Sequence, residues 1–220
     1  GLLQKQKRGP KTLAEMESAF DIDRVSLGGP VFDVEKLDWL NGKYIRENLD
    51  TETFAEAFSQ WAFADGKMAQ IIPLVKDRVE RFSDVVPLAG FFLSGLLPVQ
   101  EQDFTHKQLS TEQCKHILQL YVWQLEQLAD WTRDGVEHNA QQLAAFMNIK
   151  IRETLFPLFV AITGKAVSVS VIDAITILGL DVSRARIRQA IDVLGGVSKK
   201  EAKALEKTFR DLQSGEEKAV

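Results

Sequence analysis

The stretch STEQCKHILQLYVWQLEQL, Ser110 to Leu128, opens on a serine and places a glutamine three residues later. That is a capping-box signature, in which each side chain satisfies a backbone N–H left open at the start of a helix. Cys114, Ile117, Leu118, Tyr121, Leu125 and Leu128 then recur at three- and four-residue spacings and line one face. Cys114 stands inside that stripe and reads as a small core hydrophobe rather than a nucleophile.

The same signals extend in both directions. Towards the C-terminus, a helix is expected from after Trp131 to about Met147, and another over Ile151–Gly164 with Gly164 as its C-cap. Ser170 with Asp173 opens a short helix that stops at Gly179, and Ser183–Leu194 forms another ending on Gly195-Gly196. Ser198 with Glu201 opens the last, with Ala202, Leu205, Phe209 and Leu212 inward. Towards the N-terminus, Thr12 with Glu15 caps a helix carrying Leu13, Met16 and Phe20, followed by a loop over Ser26–Pro30. Residues 51–64 place Phe54, Phe58 and Trp61 on one face, expected to be buried. Met68–Phe82 repeats the pattern, a helix covers Ser83 to about Leu96, and Pro98–Thr105 is a loop. Only Ala166–Val171, AVSVSV, alternates as a strand would. The expectation is all-α, with many short helices and no repeat of fixed period.

Composition narrows the function. The 220 residues are 45% hydrophobic and 26% charged, ordinary for a globular chain. The single cysteine excludes an internal disulfide framework and a cysteine-based zinc site. The opening GLLQKQKRGPK lacks the apolar core of a signal peptide, and no run approaches the ~20 apolar residues of a membrane span. A cytoplasmic location and no membrane partner are expected. The chain starts without methionine and reads as a fragment or a processed form. His106, His116 and His138 form no zinc-type pair, so no metal is expected. No G-x-G-x-x-G, Walker or G-x-S-x-G pattern occurs, and Thr163-Gly164-Lys165 lacks the upstream glycine of a phosphate loop. No catalytic residue is assigned.

Charge is more informative. Glu101–Glu137 carries three Lys/Arg against seven Asp/Glu, whereas Asn148–Arg210 carries eleven against six. Such asymmetry suggests an anionic partner for the second stretch. Arg184, Arg186 and Arg188 alternate there and fan over more than one helix face: either a solvated surface or phosphate contacts. Arg78 and Arg81, in KDRVERFSDV, are expected on one helix face flanking buried Val79 and Phe82. They either pair with Asp77 and Glu80 or offer planar forks to nucleic-acid bases.

KLDWLNGKYIRE, Lys36 to Glu47, resembles the segment that follows the catalytic core in bacterial glutamyl-tRNA synthetases. The likeness continues in order through Phe20-Asp21 upstream, KDRVERFSDV, then ADWT at Ala129–Thr132, and PLFVAITGKAVS at Pro157–Ser168, with a Leu178-Gly179 turn after it. It covers roughly residues 12 to 194. The resemblance implies two consecutive all-helical anticodon-binding subdomains of the helical-cage type, after a short linking and stem-contact segment. Its boundaries are 1–48, 49–105 and 106–196, and the chain adds an extra C-terminal helix and tail, 197–220, that the resemblance does not account for.

The resemblance also implies roles. Lys36, Lys43 and Arg46 would face the inner side of the tRNA L-shape, while Trp39, Leu40, Tyr44 and Ile45 pack the helix. Arg78 would read an anticodon base, with Arg81, Phe159, Lys165 and Ser168 nearby. Phe159 stands where the family has an arginine, which puts discrimination between glutamate and glutamine anticodons in question. The partner would be tRNA(Glu), with tRNA(Gln) a second candidate, and a monomer is expected. ATP and Mg2+ would serve the parent enzyme, and this chain needs neither. Both catalytic signatures of the family are absent, and Val197-Ser198-Lys199-Lys200 mimics one of them out of place. The alternative is a helical protein-interaction scaffold that binds no RNA.

Overall fold

The computed structural model describes Glu17, Ser18, residues 34–63 and residues 65–216. The expected Thr12–Glu15 cap and the Ser26–Pro30 loop lie outside the described residues. The fold is all-α, and no strand occurs among the described residues. The chain divides into two compact units, 1–64 and 65–220.

In the first unit, α1 spans Val34–Asn48 and α2 spans Thr51–Ala62. Asp50 caps α2 by accepting from the Thr53 backbone N–H at 2.9 Å. The expected burial of the aromatic face of α2 is not found. Phe54, Phe58 and Trp61 are about half exposed and contact one another, with Phe54 and Phe58 stacked at 6.4 Å between centroids. Ala62 is the buried residue of this helix. Trp39 and Tyr44, expected to pack α1, are likewise more than half exposed.

The second unit begins with α3, Asp65–Val75. The helix expected to run to Phe82 ends at Val75, two residues after Pro73. A 3₁₀ turn over Lys76–Arg78 follows, and Val79 is extended. A second 3₁₀ turn, Phe82–Asp84, leads into the five-residue α4, Val85–Ala89, and a third over Gly90–Leu93. A single helix over 83–96 is therefore replaced by three short pieces. Pro87 lies within them, and no turn is long enough to propagate.

Beyond a 3₁₀ turn at Glu101–Phe104, the helices follow the sequence expectations closely. They are α5 (Thr111–Gln127), α6 (Arg133–Phe146), α7 (Ile151–Thr163), α8 (Val171–Val193) and α9 (Lys199–Glu216). The Ser110–Gln113 capping box forms reciprocally, at 2.9 and 3.2 Å. Gly164 ends α7 with φ +73°, and Gly179 breaks α8 internally at φ +79°, a backbone region that glycine enters without a Cβ penalty. Gly179 thus separates the two helices expected at Ser170–Gly179 and Ser183–Leu194. Of the strand-like stretch 166–171, residues 166–170 form a loop and Val171 opens α8.

One core joins these elements. α5 and α7 both pack against α8, and Ile117, Leu118, Tyr121, Leu125, Leu143, Leu158, Ile162, Ile175 and Ile187 are fully buried at their meeting. Ile71, Phe92 and Phe104 belong to the same cluster, so residues on either side of 105 share one core. Cys114 is buried as expected, and burial pushes its thiol up to about 11, which leaves it inert as a nucleophile. α9 docks through Leu205, Phe209 and Leu212, with Phe209 against Trp123 at 5.5 Å.

Candidate nucleic-acid interface

The segment 78–87 is fastened at both ends to the loop after α7. The Arg78 guanidinium donates through Nη1 to the Ser168 carbonyl at 3.1 Å, and the Lys165 ammonium donates to the Pro87 carbonyl at 2.7 Å. The Thr163 hydroxyl closes the base of that loop, sharing its one proton between the Phe159 carbonyl at 2.9 Å and the Lys165 carbonyl at 3.2 Å. Four of the five residues expected at the anticodon site, Arg78, Phe159, Lys165 and Ser168, are therefore linked, although 90 positions separate Arg78 from Ser168. The Phe159 ring itself is half-buried against the core.

Between the two ties the chain turns outward. Arg81 and Phe82 do not share a helix face with Arg78, because the backbone is extended at Val79 and at Arg81. The Asp84 carboxylate holds this turn, accepting the Glu80 and Arg81 backbone N–H groups at 3.1 and 3.0 Å and pairing with the Arg81 guanidinium at 3.3 Å. Phe82, expected to be buried, is 98% exposed. Val86 and Val167 also stand exposed. The surface thus combines a free aromatic ring, two guanidinium forks and an ammonium group. That is the chemistry for stacking a base and reaching its edge and its phosphate. Phe82 escaped the sequence reading because its i, i+3 spacing from Val79 fits a helix that ends before it.

The three alternating arginines prove to be different residues. Arg186 is fully buried. Its fork donates to the carbonyls of Ile162 at 2.5 Å, Phe91 at 2.6 Å, Ser94 at 2.6 Å and Gly95 at 2.9 Å. Ile162 lies in the last turn of α7 and Phe91 in a 3₁₀ turn, so the cation satisfies carbonyls that helix ends leave open. Burial pushes its guanidinium down to about 10. The expectation that Arg186 contacts phosphate is corrected: no N–H reaches solvent. Arg184 pairs with Asp181 at 2.8 Å and Arg188 with Glu126 at 2.5 Å, both at the surface. On α1, Lys36, Lys43 and Arg46 lie on an exposed or half-exposed helix, and the Lys43 ammonium sits 5.5 Å from the Trp39 ring and 3.7 Å from Glu47.

One cluster was illegible in sequence. Glu112, His116 and Glu201 bring three ligand-type atoms together, 85 residues apart between His116 and Glu201. The Lys115 ammonium already bridges both carboxylates, at 2.9 and 3.0 Å. A resident cation among these groups suits an ion-paired clasp for α9 better than a metal centre. Hydrogen bonding from Lys115 leads the effects that hold the Glu201 carboxyl down to about 2.

Comparison with known proteins identifies the family. Residues 53–191 match the family described as the anticodon binding domain. Glutamate–tRNA ligase from Marinomonas sp. is 53% identical over 201 residues, 91% of this chain and 41% of that protein. The same enzyme from Alcanivorax borkumensis is 49% identical over 204 residues, 93% of this chain and 41% of that protein. The chain therefore spans about two fifths of the length of these relatives. A solved glutamate tRNA ligase from Elizabethkingia meningosepticum, in complex with its amino acid, superposes with a TM-score of 0.54 at 23% identity, covering 80% of this chain and 35% of that one. That likeness speaks for the fold. An all-helical module is the class that the fold defines, and the chain belongs to the anticodon binding domain family.

Proposed function

We propose that this chain is the tRNA-contacting C-terminal part of a glutamate–tRNA ligase, and that it reads the anticodon of tRNA(Glu) with the 78–87 and 159–168 segments. The observation that carries the reading is the pair of crossed ties, Arg78 to Ser168 and Lys165 to Pro87, with Phe82 exposed between them. Arg78 uses one N–H for the tie and keeps the rest of its fork for a base edge. Phe82 offers its face to a base, a role better suited to it than to half-buried Phe159. Lys36, Lys43 and Arg46 on α1 contact the inner side of the tRNA. The four-part division at 48, 105 and 196 then describes labour along the chain rather than separate cores. ATP and Mg2+ act in the part of the parent enzyme outside this chain, in the cytoplasm.

The test is binding of the chain to unmodified tRNA(Glu), tRNA(Gln) and an unrelated tRNA at low and moderate salt. Preference for tRNA(Glu) that is lost in Arg78→Ala supports the reading. Equal binding of tRNA(Glu) and tRNA(Gln) places the parent enzyme among relaxed ligases. Equal binding of all three, unchanged by Arg78→Ala, refutes anticodon recognition by this surface.

A further inference from the structure

Helix α9 lies wholly beyond the residues that match the family, 53–191, and its two faces differ. Leu205, Phe209 and Leu212 are buried, and the Lys115–Glu201 ion pair clasps its first turn to α5. On the opposite side, Lys199, Lys200, Lys203, Lys207 and Arg210 are all exposed. At 3.6 residues per turn these five cations fall within about 100° of the helix circumference, in a stripe roughly 16 Å long. Glu206 and Asp211 flank that stripe at its edges. Arg210 donates Nε to the Glu206 backbone carbonyl at 3.4 Å, which leaves the rest of its fork outward. This is a strong local excess of positive charge on a chain whose net charge is −4.

We propose that the outward face of α9 is a second RNA-contacting surface, which grips the sugar–phosphate backbone without reading sequence. The proposal rests on the tRNA-binding reading above. The chemistry is that of phosphate neutralisation: lysines act as point charges on flexible stems and tolerate any base sequence. The docked side of the helix holds the stripe in place, so the cations are presented together rather than on a loose tail.

The test uses the full chain with Lys203→Ala/Lys207→Ala/Arg210→Ala. All three side chains are exposed, and alanine keeps the helix. The expected result is weaker binding by the same factor for every tRNA, with the slope of log affinity against log salt shallower by about 2. Lys203→Arg/Lys207→Arg, which keeps the charge, should bind like the parent. A matching thermal melt separates lost contacts from lost folding. Unchanged affinity and slope in the alanine variant, while Arg78→Ala still weakens binding, overturns the proposal and leaves the anticodon reading standing. A parent chain that binds no tRNA overturns both. Loss of binding to phosphatidylglycerol vesicles, with RNA binding intact, overturns it in favour of an anionic lipid surface.

Discussion

The neighbourhood of Arg186 and the 78–87 segment use the same residue type for opposite ends. Both arginines donate to backbone carbonyls more than twenty positions away in sequence. Arg186 is wholly enclosed and makes four such bonds, whereas Arg78 stands exposed and makes one. The difference is one of spare capacity. A guanidinium with four of its five donors engaged inside the fold holds the structure together, and one that spends a single donor and stands at the surface is available to a partner.

The largest expected effect lies on the buried side. Arg186→Ala removes the cation from four carbonyls and should destabilise the chain by about 3–5 kcal/mol, read as a lowered midpoint in urea. Arg186→Lys keeps the charge but loses the planar fork, and should recover only part of that. If Arg186→Ala left stability untouched and weakened RNA binding alone, the division between the two regions would collapse.

On the exposed side the effects should reverse in kind. Phe82→Ala should cost about 1–3 kcal/mol in tRNA binding, the range for losing one stacked base, with no loss in thermal stability. Arg78→Ala should lose a similar amount in binding, together with a small loss of stability from the Ser168 tie. A Phe82→Ala variant that binds like the parent would show that the ring stacks on nothing.

Acid should act on the clasp. The Glu201 carboxyl is held at about 2 against an ordinary 4.5, so its contribution is present above about 4.5 and is lost as pH falls towards 2. Amide hydrogen exchange in α9 should therefore rise in that window, ahead of α5 and α7. The smallest effect belongs to Arg188→Ala, whose surface pair with Glu126 should contribute about 0–1 kcal/mol.

These contrasts also show what sequence could reveal. From Ser110 onward the helices were legible because caps and a 3.6-residue stripe agree locally, as at Ser110–Gln113, Gly164 and Ser198–Glu201. Residues 76–97 were not, because their backbone is held by side chains from far along the chain. Arg186 and Gln189 reach Phe91, Ser94, Gly95 and Leu97, and Lys67 reaches Phe92. Of the candidate surface, the family resemblance named Arg78, Lys165 and Ser168, which the fold brings together. It missed Phe82, whose exposure depends on where α3 stops, and it could not separate buried Arg186 from its surface neighbours.

The crossed ties around Phe82 bear on the kinetics of recognition. A segment already fastened at Arg78 and Pro87 does not have to be ordered when a partner arrives, so that entropic cost falls on folding rather than on association. RNA should meet this surface as a rigid shape. Variants that cut a tie, such as Lys165→Ala, should then slow productive encounter even where the remaining contacts in the final complex are unchanged.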